Sequence, residues 1–148
     1  MHTLYLRRGK SESLKRFHPW VFSGAVANSD GKLKEGEIVR VVSHEGELMG
    51  YGHYQVGSIV VRMLTFTDEV IDRNFWQQRL KEAFALRKAL HLTGRADNDI
   101  YRLVHGEGDR LPGLVIDVYG RTAVMQAHSV GMHMDRQVIA EALVAASE

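Results

Sequence analysis

Through the first 65 residues apolar and polar positions alternate in short runs, and after residue 71 apolar positions recur every three or four. The first pattern predicts strands and the second an amphipathic helix. Leu4 and Leu6 alternate with polar neighbours in a first strand, and Lys10 to Phe17 is long enough for two helical turns with Ser11 or Ser13 near the cap. His18-Pro19 breaks that helix, and Trp20-Val21-Phe22 begins a second strand. Strands follow at Glu37 to Val42, Leu48 to Tyr54 and Ser58 to Thr65, separated by His44-Glu45-Gly46-Glu47 and Gln55-Val56-Gly57. Gly50 and Gly52 inside a strand point to strong curvature, as in a small closed or nearly closed barrel.

Asp72 is the expected N-cap of the helix that follows. Trp76, Leu80, Ala83, Leu86 and Leu90 form its apolar stripe, Arg73, Gln77, Lys81 and Lys88 its polar face, and Gly94 its stop. After the polar loop Arg95 to Asp99 come a strand at Tyr101 to Val104, a glycine-rich turn, and a hairpin of Leu114 to Val118 with Thr122 to Ala127. Met134, Val138, Ile139, Ala142, Leu143 and Ala146 predict a last amphipathic helix, which runs to Ser147-Glu148 without a stop signal, as if the chain were cut. The change of period places a boundary near residue 68, dividing an all-β module, 1–68, from an α+β module, 69–148.

Charge changes this picture only through its distribution. Lys+Arg 19 against Asp+Glu 18 gives a net +1, so no field of the whole molecule marks a polyanion partner. Yet Arg7, Arg8, Lys10, Lys15 and Arg16 crowd one short stretch, diluted only by Glu12 and followed by His18 and Trp20. Several cations in one groove are what a phosphate backbone needs, whereas a solvated strand end and helix face would need none of them in particular. Trp20 on its own reads as core. The count of 0 cysteines removes disulfides, thiolate metal sites and a thiolate nucleophile, and a reducing cytoplasmic setting is the expectation. No segment reaches the roughly 20 apolar residues that span a bilayer, so no membrane partner is expected.

Other chemistry finds little support. Gly106-Glu107-Gly108 suggests a dinucleotide fingerprint, but Leu111 stands at its third glycine position and Pro112-Gly113 leads into a strand. Glu107 and Asp109 in such a loop are turn formers before they are an acid/base pair. The 8 histidines show no HxxxH spacing, and Ser23, Ser58 and Ser129 lack the G-x-S-x-G context of a hydrolase, so neither a metal nor a catalytic triad is expected.

Four segments taken in order are more specific. His18-Pro19-Trp20-Val21-Phe22-Ser23-Gly24-Ala25-Val26, Val61-Arg62-Met63-Leu64-Thr65, Tyr101-Arg102-Leu103-Val104-His105-Gly106-Glu107-Gly108-Asp109 and Leu111-Pro112-Gly113-Leu114-Val115-Ile116-Asp117 resemble the front portion of one family. It is that of the bacterial large-subunit (23S) rRNA cytosine-C5 methyltransferases with an N-terminal PUA domain. Two departures are local: Arg110 stands where a glycine is common, and Gln55-Val56-Gly57-Ser58 replaces an Asn-Pro lead.

The resemblance implies an all-β PUA-like pseudobarrel, then a small α+β domain, with the Rossmann-like domain that binds S-adenosylmethionine absent from these residues. It implies ribosomal RNA as partner, held in a groove beside the first helix onto which Arg7, Arg8, Lys10, Lys15, Arg16 and His18 map. Arg102 and Arg110 could extend the track on the second module. The residues agree on one point independently: methylation at cytosine C5 proceeds by adding a nucleophile at C6, best a thiolate, and these residues offer none. No catalytic residue, no metal and no bound cofactor is therefore expected here, and RNA positioning is the expected role. Two rivals are a protein-interaction module, docking a partner or a second copy through Trp76, Phe84 and the Met134 to Ala146 face, and an enzyme built on Glu107 and Asp109.

Overall fold

The alternation in the first half of the chain resolves into six strands: β1 (Thr3–Leu6), β2 (Trp20–Phe22), β3 (Val26–Ser29), β4 (Ile38–Val42), β5 (Leu48–Tyr54) and β6 (Ile59–Thr65). They form one sheet in the order β2-β6-β5-β4-β1-β3, antiparallel throughout except for β1 beside β4. Its two edge strands, β2 and β3, are consecutive in the chain, joined by one 3-10 turn at Ser23–Ala25. Three residues cannot cross the width of a flat six-stranded sheet, so the sheet curls until its edges approach. The computed structural model describes residues 1–148 and divides into two units, residues 1–69 with 129–134 and residues 70–128 with 135–148.

Curling puts one face of every strand inside. Leu4, Leu6, Val21, Val39, Val41, Met49, Val61 and Met63 fill the interior of the first unit, each at most 6% exposed, with Leu14 of α1 (Glu12–Lys15) among them. The curvature has a covalent requirement. Gly50 has φ +136°, and a Cβ there would stand 2.1 Å from the carbonyl oxygen of Thr65, while one on Gly52 would stand 2.4 Å from that of Arg62. The ladder between β5 and β6 shifts register between Tyr51 and Gly52, the bulge that lets the strands bend so closely.

Helix α1 is one turn long, not two. Its Ser11 cap makes no side-chain bond, and it closes in a Schellman arrangement, with Phe17 N–H on Leu14 O at 2.9 Å and His18 N–H on Ser13 O at 3.0 Å. Phe17 carries the left-handed residue of that motif at φ +63°.

The second unit contains α2 (Arg73–Ala89), then β7 (Ile100–His105), β8 (Leu114–Tyr119) and β9 (Thr122–Ala127) as an antiparallel sheet in that order, and α4 (Arg136–Ala146). Asp72 caps α2 as expected, its Oδ1 accepting the Phe75 N–H at 3.0 Å. The helix ends earlier than Gly94: Leu92 N–H bonds Arg87 O and His91, at φ +57°, takes the left-handed position. Its buried stripe is Phe75, Trp76, Arg79, Leu80, Ala83 and Arg87, whereas Leu86 and Leu90 are exposed. The last apolar run is two helices, because α3 (Val130–Met134) closes before α4 and belongs with the first unit. Gly131 of α3 lies against His53, whose ring would sit 2.1 Å from an added Cβ.

Replacing Gly50 by alanine is expected to destabilise the chain by about 3 kcal/mol or more, since strained φ and a backbone clash coincide. Gly108→Ala, where a Cβ meets nothing within 4 Å, is the control, expected to fall within about 0.5 kcal/mol of the parent. Denaturant unfolding of both variants reads the difference, and equal stabilities would refute the close-approach argument.

Candidate nucleic-acid interface

The basic stretch is built on a turn. Lys10 N–H bonds Arg7 O at 3.1 Å and Gly9 has φ +74°, so Arg7-Arg8-Gly9-Lys10 is a four-residue turn whose third position needs a left-handed residue. Three cations therefore leave one tight bend. The turn is fastened to the seam of the curled sheet by Arg7 N–H on Ala25 O at 2.8 Å. Lys15 and Arg16 follow at the end of α1; Lys15 has Glu12 as a carboxylate neighbour at 3.7 Å, and all five cations are exposed.

Beside the turn lies a groove of about 270 Å³, lined by Lys10, Ser13, Trp20, Phe22, Gly24 and Ala25 among others. Strand periodicity explains its aromatic wall. Val21 faces the interior, so Trp20 and Phe22, two residues apart, share the outward face. Trp20 is half-buried rather than core, and Phe22 is 49% exposed. His18 joins them: its ring centroid is 5.7 Å from that of Trp20 and 6.3 Å from that of Phe22, and Trp20 and Phe22 meet edge-on at 6.3 Å. The backbone N–H of Trp20 donates to His18 Nδ1 at 3.2 Å, so that nitrogen is turned to the backbone and Nε2 is the ring atom left to face a ligand. Arg62 stands opposite Trp20 in the β2–β6 ladder and approaches Gln55 Oε1 at 3.5 Å. Arg62 and Phe22 are not among the site residues expected from the sequence; with Val21 and Val61 facing inward, the strand period puts both on the outward face.

The other two arginines expected on the RNA track belong to the second unit and are engaged there. Arg102 makes a two-point pair with Asp117 across β7 and β8, at 2.8 and 3.2 Å. The guanidinium holds the Asp117 carboxyl below the usual aspartate range, so whatever this pair adds to stability is present at neutral pH and fades as acid protonates Asp117. Arg110 is bonded to Glu82.

The glycine-rich segment is structural. It forms a 3-10 turn at Gly106–Asp109, and both Asp109 oxygens accept from Arg87, at 2.6 and 2.8 Å, with the two side chains 5% and 10% exposed. Arg87 Nε also donates to Arg102 O at 3.0 Å, and Asp109 takes the His105 N–H at 2.7 Å. Helix, strand and turn are thus tied at one buried ion pair, and both Asp109 oxygens are engaged in holding it. Trp76, offered above as a docking residue, is 2% exposed and unavailable to a partner.

These residues do not fit S-adenosylmethionine. A nucleoside cofactor is ordinarily cradled by a glycine turn from strand into helix, with a carboxylate on the ribose. Here the glycine turn runs from β7 through a 3-10 turn towards β8, and the larger groove of the second unit, about 800 Å³, is lined by Phe84, Tyr101, Arg121, Met125 and Leu143 among others, with no Asp or Glu.

Residues 4–66 match the family model described as a PUA-like domain. The chain is 42% identical over 142 residues to the ribosomal RNA large subunit methyltransferase I of Klebsiella pneumoniae (strain 342), and equally to that of Escherichia coli O157:H7. Those alignments cover 95% of this chain but 35% of each relative, so the chain spans about a third of their length. Among solved structures, one from Streptococcus mutans described as a SAM-dependent methyltransferase superposes with a TM-score of 0.83 at 17% identity, covering 99% of this chain and 38% of its own. A second, described as a methyltransferase complexed with SAH, superposes equally well. At that identity the likeness is one of fold.

Breaking the buried pair by Asp109→Asn is expected to cost about 3–5 kcal/mol, and the isosteric apolar exchange Arg87→Met with Asp109→Leu distinctly less. Thermal unfolding compares them. Full stability of the single variant would mean that the pair does not organise the turn.

Proposed function

We propose that this chain is the RNA-gripping portion of an S-adenosylmethionine-dependent methyltransferase of large-subunit ribosomal RNA, acting on cytosine C5. The observation that carries the reading is the Arg7–Lys10 turn, three exposed cations on one bend beside an aromatic groove, within a stretch that matches a PUA-like domain. Phosphates are held there by Arg7, Arg8 and Lys10, with Lys15 and Arg16 extending the contact and His18 adding its ring Nε2. Such contacts set register and orientation, and the base itself is selected elsewhere. Arg102 and Arg110 would have to give up Asp117 and Glu82 to join them, and the track therefore rests on the first unit.

Ribosomal RNA as the partner is supported by what the relatives are named for. Cytosine C5 as the methylated atom rests on the ordered segments from His18 to Val26, Val61 to Thr65, Tyr101 to Asp109 and Leu111 to Asp117. The transfer requires a nucleophile at C6 and a pocket for the methyl donor. With 0 cysteines and a glycine turn that leads into a strand, these residues supply grip and not transfer.

Titrating a single-stranded ribosomal RNA fragment at several salt concentrations is expected to give a slope of about −3 in log affinity against log salt, from four or five phosphate contacts. Arg7→Ala, Arg8→Ala and Lys10→Ala together should reduce that slope to about −1. A flat salt response in the parent chain contradicts the reading. Calorimetry with S-adenosylmethionine is expected to show no binding to this chain, and methylation of RNA by it alone would overturn the separation of grip from transfer.

A further inference from the structure

Two aromatic rings of the first unit are exposed at positions where the fold gains little from them. Phe22 is 49% exposed on the outward face of β2, an edge strand, next to the Lys10 groove. Phe17 is 71% exposed, with only an edge contact to Phe66 at 5.4 Å, and occupies the left-handed position that ends α1 at φ +63°. Glycine or asparagine is the ordinary residue there, and a bulky side chain is strained. A strained backbone that presents a large apolar ring to water points to a use for the ring outside folding.

Position and size narrow that use. His18, Trp20 and Phe22 meet ring to ring along one outward row, Phe17 directly precedes His18 in the chain, and Lys10 of the Arg7–Lys10 turn lines the groove beside the row. At about 270 Å³ the groove lies just under the roughly 300–1,000 Å³ of small-molecule sites, which suits a single planar ring more than a whole nucleotide cofactor. Flat rings beside cations are the combination that binds single-stranded nucleic acid, where every base offers a π-face and every linkage a charge.

We propose that the exposed rings of Phe22 and Phe17, backed by Trp20 and His18, stack unpaired bases of an RNA strand whose phosphates are held by the Arg7–Lys10 turn. The inference rests on the RNA reading above and adds to it a substrate class, single-stranded and not duplex RNA. Paired bases bury both faces in their own stack and leave none for Phe22. Trp20, which lines the groove, reports the event, because a base seated there quenches its fluorescence.

The test titrates the 148-residue chain with a short single-stranded RNA and with the same sequence as a duplex, at fixed and at varied salt. Phe22→Ala is expected to weaken single-strand binding about 5- to 100-fold and leave the salt slope unchanged. Phe22→Leu, which keeps apolar bulk without the π-face, should lose most of the same factor and guards against a folding artefact. Phe17→Gly should keep a stability close to the parent's, because strain is relieved as the Phe66 contact is lost, and still bind single strands several-fold more weakly. Tryptophan quenching by single strands should fall in Phe22→Ala. If Phe22→Ala and Phe17→Gly bind like the parent while the triple alanine variant of the turn loses affinity, stacking is wrong and the phosphate grip stands. If the parent prefers duplex, or binds neither RNA, the stacking proposal fails, and in the second case the RNA reading fails with it.

Discussion

One backbone hydrogen bond, Arg7 N–H to Ala25 O at 2.8 Å, holds the cation-bearing turn against the seam where the sheet's two edges meet. Everything proposed for the first unit depends on that attachment. Because β2 and β3 are joined by Ser23–Ala25, the sheet curls, the apolar face of each strand turns inward, and the outward face of β2 is left carrying Trp20 and Phe22. Because Arg7 is fastened to Ala25, the cations emerge beside those rings and not at an arbitrary strand end. Curvature that Gly50 and Gly52 permit thus reaches the surface as a juxtaposition of charge and aromatic area.

Charge is used in two ways along the chain. In the second unit arginines are turned towards carboxylates: Arg87 to Asp109, Arg102 to Asp117, Arg110 to Glu82, and Arg95 to Asp97. The buried member of that set organises helix, strand and turn, and removing one partner leaves an uncompensated charge in a dry site. In the first unit the cations of the front turn point to solvent, where desolvation costs little and a polyanion can displace their counterions. A net charge of +1 conceals this difference, since the paired charges cancel locally and the others do not.

Most strands were legible because alternation is enforced wherever one face is buried, and α2 because Asp72 and its apolar spacing agree. Strand β3 was not, since Val26–Ser29 has a burial pattern without alternation and is held mainly by pairing with β1. Apolar spacing puts Leu86 and Leu90 on the core stripe and leaves Arg87 off it, because spacing alone cannot anticipate that an arginine will find a buried carboxylate 22 residues on. Local motifs ended two helices early: a histidine and a phenylalanine adopt left-handed conformations where composition points to glycine or to proline as the stop. Of the site, the cations were visible as a cluster in sequence. The outward row of His18, Trp20 and Phe22 became visible only once Val21 was seen to face inward.

The most direct measurement is an amide-resolved map of the chain, by heteronuclear NMR, on adding a short single-stranded RNA. Shifts concentrated in residues 7–10 and 20–25, with the indole N–H of Trp20 moving and that of the buried Trp76 still, are the predicted result. Shifts confined to residues 70–128, or none at RNA concentrations that saturate binding, would contradict the account.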